Sequence, residues 1–118
     1  MSGELTLRTS LSFNKSDAKV NRADGISVDV TGDAFTDGVQ EIGTSEEEVV
    51  QGADVGTPGY VWMKNLDATN YVEVGSTTGV YDIKLKAKQI ALWPHNSATI
   101  YAKANTAACN IQYIIIEL

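Results

Sequence analysis

At 118 residues and 12.7 kDa, with 43% hydrophobic and 20% charged residues, the chain has the length of one domain and is too apolar to be disordered. Its single cysteine, Cys109, excludes an intrachain disulfide, a CxxC redox pair and a cysteine-based zinc site. The net charge of −6 is uneven: residues 1–56 carry eleven acids and four bases, residues 57–118 four acids and five bases. The only basic cluster, Lys84, Lys86 and Lys88, is too small to displace the counterions of a nucleic acid, which disfavours nucleic-acid binding.

No apolar run approaches the roughly 18 residues of a membrane span, and Met1-Ser2-Gly3-Glu4 lacks the regions of a signal peptide. The expectation is a soluble protein made in a cytoplasm, with no membrane partner. The acidic half reads as a solvated outer surface, and the near-neutral half as the side that faces a partner.

The first element is a strand over about residues 4–13, where Leu5, Leu7, Leu11 and Phe13 alternate with polar residues. Residues 14–24 are polar, end at Gly25 and read as a loop or extended connection. Ile26, Val28 and Val30 give a second alternation. Phe35, Val39 and Ile42 lie in a strand punctuated by Gly38 and Gly43. Ser45-Glu46-Glu47-Glu48 carries a helix-start signal, but Val49, Val50 and Gly52 limit it to one turn or a short strand.

Tyr60 to Leu66 is apolar on both parities, as in a strand covered on both faces. The Asp67–Asn70 turn predicts a hairpin between it and Tyr71 to Val74. Val80 to Leu85 forms a further strand. Its apolar positions are odd at Ile83 and Leu85 but even at Ile90 and Leu92, which predicts a parity flip, by a bulge or tight turn, near Lys86 to Gln89.

Ala98 to Ala104 follows the Pro94–Ser97 turn, and the last strand runs from Cys109 to Leu118. There Ile111, Tyr113 and Ile115 share one face and Ile114, Ile116 and Leu118 the other, so its second half needs cover on both sides. Eight or nine short strands and no long amphipathic helix predict an all-β fold: a single domain over residues 1–118, an antiparallel β-sandwich of jelly-roll type.

No set of residues announces an enzyme. His95 is the sole histidine and follows Pro94 in a turn; no GxSxG elbow accompanies it, and it reads as an exposed turn residue. Asp24, Asp29, Asp33 and Asp37 recur at intervals that do not match an EF-hand loop and read as turn aspartates. No metal site and no cofactor are expected. Cys109, beside Ala107, Ala108 and Ile111, reads as a small core residue. Trp62, Trp93 and the tyrosines read first as core or interface residues, and second as stacking platforms for sugar rings.

The run GYVWMKNLDATNYVEVG (59–75), the strand pair YDIKLKAKQIALWP (81–94) and ATIYAKANTAACNIQYIIIEL (98–118) resemble small virion proteins of tailed bacteriophages. The resemblance covers about half the chain and departs from the pattern at Ala87-Lys88-Gln89, where a Gly-Glu turn is commoner. It implies a non-enzymatic capsid decoration or cement protein on the outside of the assembled shell, bound to the major capsid protein and to copies of itself, as a trimer rather than a dimer. The interface expected on this reading comprises Tyr113, Ile114, Ile115, Ile116 and Leu118 of the last strand, together with Trp62 and Trp93. The alternative is a head-fibre or tail-associated module binding host glycans through Trp62 or Trp93.

Overall fold

A computed structural model describes residues 3–117. Every regular element among them is a strand: β1 (Leu5–Lys15), β2 (Ala18–Val28), β3 (Phe35–Ile42), β4 (Glu47–Glu48), β5 (Pro58–Asn65), β6 (Val72–Gly75), β7 (Ile83–Leu85), β8 (Ile90–Pro94), β9 (Tyr101–Ala104) and β10 (Cys109–Glu117). All strand pairs are antiparallel, and the strands form a two-stranded sheet and two four-stranded sheets, ordered β3-β10-β5-β8 and β4-β9-β6-β7. There are ten strands rather than eight or nine, and the extra one is the two-residue β4, where the helix-start signal lay.

The chain divides into two compact units, Met1–Thr31 and Gly32–Leu118. Composition predicts one domain, and among the described residues the buried core lies in the second unit. The first unit is the β1-β2 hairpin, in register from Leu5 opposite Val28 to Lys15 opposite Ala18. Its turn is only Ser16-Asp17, with Ser16 at φ 52°, so most of the expected 14–24 loop is strand. Polar side chains at Lys19, Asn21 and Arg22 hid the period, but β2 satisfies its backbone against β1 whatever those side chains are.

In the second unit the strands alternate as a half-covered sheet should. Along β5 and β10 alternate residues are buried, among them Val61, Met63, Ile111, Tyr113 and Ile115. Val72, Val74, Leu85, Ala102 and Ala104 supply the buried side of the other sheet, and both sets meet in a single core cluster. Cys109 is a buried member of that cluster, and burial pushes its thiol pKa up. Each fully buried Ile, Val or Met adds about 1.5–3 kcal/mol of transfer free energy, which makes this cluster the main stabilising contribution of the unit.

Two connections differ from expectation for one reason. β5 has β10 on one edge and β8 on the other, so it cannot pair with β6, which lies between β9 and β7. The Asp67–Asn70 turn therefore carries the chain from one sheet to the other instead of closing a hairpin. The Lys86–Gln89 turn does the same between β7 and β8, closed by Gln89 N–H donating to the Lys86 carbonyl at 3.0 Å with Lys88 at φ 66°. The tight turn is present, but the core parity does not flip. Ala91 and Trp93 of β8 pack on the core, as Ile83 and Leu85 of β7 do, while Ile90 and Leu92 point away from it.

Candidate interaction face

The outward side of the β3-β10-β5-β8 sheet follows from the registers, since residues paired across antiparallel strands share a face. One row is Phe35, Ile116, Tyr60 and Pro94; the next is Asp37, Ile114, Trp62 and Leu92; the third is Val39, Gln112, Lys64 and Ile90. Nine of these twelve side chains are apolar or aromatic. At the rim Phe35, Val39 and Ile90 keep 63%, 59% and 62% of their surface exposed, while Ile114, Ile116, Tyr60 and Trp62 in the middle are half-buried by neighbours on the same face. Four strands by three rows cover about 400 Å². A face of that extent matches the largest apolar patch of a typical monomer, which is often a functional one.

The expected interface residues are divided by strand parity. Ile114, Ile116 and Trp62 lie on this face. Tyr113 and Ile115 belong to the core instead, the Tyr113 hydroxyl donating to the Val50 carbonyl at 2.9 Å. Trp93 also packs on the core side, and Leu118 lies outside the described residues. Phe35, Val39, Ile90 and Leu92 lie on this face too, although the sequence reading does not place them there. The usable signal was the even-numbered Ile90 and Leu92, whose parity means an apolar outer face rather than a shifted strand.

The residues weighed for catalysis are occupied structurally. Trp93 Nε1–H donates to His95 Nδ1 at 2.9 Å; an indole only donates, so Nδ1 is the acceptor, and Nε2–H donates to the Thr99 carbonyl at 2.8 Å. His95 is therefore half-buried with both ring nitrogens engaged, not an exposed turn residue. The lysine stripe is also dispersed: the Lys84 ammonium lies 4.1 Å from the Tyr71 ring centre, and Lys88 donates to the Leu66 carbonyl at 2.7 Å. Among the described residues no three His, Cys, Asp or Glu side chains come together as a metal-binding group.

The acidic segment before β5 is more than solvated surface. Glu47 accepts from Gln40 at 3.1 Å and from Gly43 N–H at 3.0 Å, tying β4 to the end of β3. Glu46 accepts from the Tyr81 hydroxyl at 2.5 Å and from Gly79 N–H at 2.7 Å. The Tyr81 hydrogen bond, then that of Gly79, holds the Glu46 carboxyl below its ordinary value, and the same contact pushes Tyr81 up to about 12. Asp67 is held low by the N–H groups of Asn70 and Thr69, at 2.6 and 2.9 Å.

These shifts set a pH dependence at both ends. A carboxyl lowered by folding contributes stability that is present above its unfolded pKa, ordinarily 4.5 for glutamate and 3.8 for aspartate, and lost as pH falls through the lower folded value. A phenol raised by folding contributes stability that is present below its unfolded pKa of 10 and lost as pH rises through about 12. Thermal melts are therefore expected to lose Tm below about pH 4.5 and again above about pH 10. Tyr81→Phe should flatten part of each limb, the rest of the alkaline one belonging to Tyr113 and Cys109, which burial also raises; an unchanged alkaline limb would refute the Glu46–Tyr81 coupling.

Comparison with protein-family models, with curated proteins and with solved structures returns no match to this chain, so its functional reading rests on the apolar sheet face and on the sequence resemblance.

Proposed function

We propose that the chain is a non-enzymatic binding protein that engages a protein partner through the outward face of the β3-β10-β5-β8 sheet. The observation that carries this is the apolar field of Phe35, Tyr60, Trp62, Leu92, Ile114 and Ile116 over two rows, with Val39 and Ile90 at the ends of a third row whose middle is Gln112 and Lys64, and with Asp37 beside Val39. The face has the anatomy of an interface, with aromatic and aliphatic anchors at the centre and few charges.

Joined to the resemblance of residues 59–118 to phage virion proteins, the fuller reading is a capsid decoration protein. It is made in the host cytoplasm and sits on the capsid exterior, with the sheet face on the major capsid protein and copies of itself beside it, as a trimer. In this reading the two four-stranded sheets are the layers of a jelly-roll-like β-sandwich, supported by the core cluster they share. The glycan-binding alternative is less favoured: Trp93 is committed to the core and to His95, and Trp62 stands in an apolar field with few donors for sugar hydroxyls.

Binding to undecorated heads tests the proposal. The native chain should raise the melting temperature of such heads, and Val39→Lys or Ile90→Lys should weaken binding about tenfold or more while leaving the fold intact, since both side chains are exposed. Full binding by a folded Val39→Lys, Ile90→Lys double variant would sink it. A shift in tryptophan fluorescence on adding host polysaccharide would favour the glycan reading.

A further inference from the structure

The β1-β2 ribbon is amphipathic across its two faces. On one, Leu7 lies opposite Ile26, Leu11 opposite Arg22 and Phe13 opposite Val20, with Leu5 and Val28 continuing the row. On the other, Ser10 lies opposite Ala23, Ser12 opposite Asn21 and Asn14 opposite Lys19, with no large apolar side chain. Leu11 and Phe13 are 62% and 49% exposed, and Val20 and Ile26 are also exposed. Each strand has 11 residues, so the ribbon is about 37 Å long.

A lone two-stranded hairpin is marginal in water because its strands share one layer and neither can cover the other's side chains. This ribbon needs a second layer. The charges on its apolar face indicate which: apart from Lys15 at the tip, they are Arg22 and Asp24, two residues apart on β2 and one of each sign. A surface that carries one acid and one base side by side is complementary to itself when turned about a two-fold axis.

We propose that this face is a self-association surface, on which the ribbon of a second copy of this chain seats face to face about a two-fold axis that passes between Arg22 and Asp24, so that Arg22 of each copy meets Asp24 of the other, and Phe13 and Val20 of each meet Leu7 and Ile26 of the other. The contact is about 370 Å² per copy, from 37 Å of length and about 10 Å of width. That is below the roughly 800 Å² per partner of a standard stable interface, so the association is of modest strength. The inference goes beyond the preceding reading: a two-fold pair formed in solution is a contact separate from the trimer proposed on the shell, it lies on an element outside the phage-like segment, and it does not depend on head binding.

Sedimentation of the full chain over a wide concentration series provides the test, since an interface below standard size forms a weak, concentration-dependent pair. The native chain should sediment as an oligomer, and Phe13→Lys should shift it to monomer without changing the fluorescence of Trp62 and Trp93, which lie in the other unit. Arg22→Asp alone and Asp24→Arg alone should each weaken association, because each places like charges in contact. An equimolar mixture of the two single variants should restore it, because both contacts are then between opposite charges.

A native chain that is monomeric throughout, charge variants that associate like the native chain, or a mixture that fails to associate would each overturn the proposal. Loss of folding cannot mimic the restoration. Val39→Lys, which tests head binding, should leave sedimentation unchanged, so the two proposals fail separately.

Discussion

Replacing Asn65 with alanine should cost about 3–4 kcal/mol of stability, the expected sum of several lost bonds to partly buried backbone groups. Asn65 is the fully buried polar residue at the end of β5. Its amide nitrogen donates to the carbonyls of Asn70, Leu85 and Lys86 at 2.9, 3.0 and 3.3 Å, and its oxygen accepts from Asp67 N–H at 3.0 Å. One side chain thereby fastens β5 to the start of both turns that carry the chain between the sheets. Removing it leaves the Asp67 N–H without its acceptor and takes a donor from the carbonyls of Asn70, Leu85 and Lys86, of which Lys86 still accepts from Gln89 N–H.

The expected Tm drop is of the order of 10 °C or more for a domain of this size. Asn65→Asp sharpens the test. It keeps the acceptor for Asp67 N–H but turns a carboxylate oxygen toward three carbonyls, so it should be worse than alanine near neutral pH and recover as pH falls, when the protonated acid can donate. Equal melting of Asn65→Ala and the native protein would refute this role.

Gly75→Ala should be comparably damaging, at about 3 kcal/mol or more, for a steric reason. A Cβ there would lie within 2 Å of the Val80 carbonyl oxygen and within 3.1 Å of Tyr81 Cα, and backbone cannot swing aside as a side chain can. The 76–81 loop would have to move, and with it the Thr77–Val80 bridge and the Tyr81 and Gly79 bonds to Glu46. Gly79→Ala is the control. That residue sits at φ 79° with open space around it, so its substitution costs only backbone strain, about 1–2 kcal/mol. Urea melts that rank the two substitutions the other way would show that the loop is free to shift.

How much was legible can be seen strand by strand. β5 and β10 announced themselves, because a strand with both faces apolar is rare outside a sheet covered or partnered on both sides. The buried set on β10, Ile111, Tyr113 and Ile115, could be read directly from period two. The β2 strand could be read only at its end, from Ile26 and Val28, since before them only Val20 stands out against polar residues and the pairing with β1 runs through the backbone. On β8 the alternation misleads, because the larger apolar pair, Ile90 and Leu92, points outward. Apolarity and burial coincide only when a single face is apolar, and here the smaller Ala91 and the amphipathic Trp93 face the core. His95 looked exposed because a turn sequence says nothing about whether Trp93 and Thr99 close on the ring.

The order of residues by itself determined that the chain is all-β, where most strands lie, that Cys109 sits in the core and that β10 presents apolar side chains on both faces. These are local properties, set by side-chain period, turn chemistry and composition. Only the tertiary structure decided which strands share a sheet, and hence which apolar residues line up into the outward field of Phe35, Trp62, Ile90 and Ile114, and which of the seven expected interface residues belong there. The reason is that a strand's neighbours are chosen by long-range backbone pairing, which any side chain permits. The same period-two pattern therefore describes an inward face or an outward one until the partner strands are known.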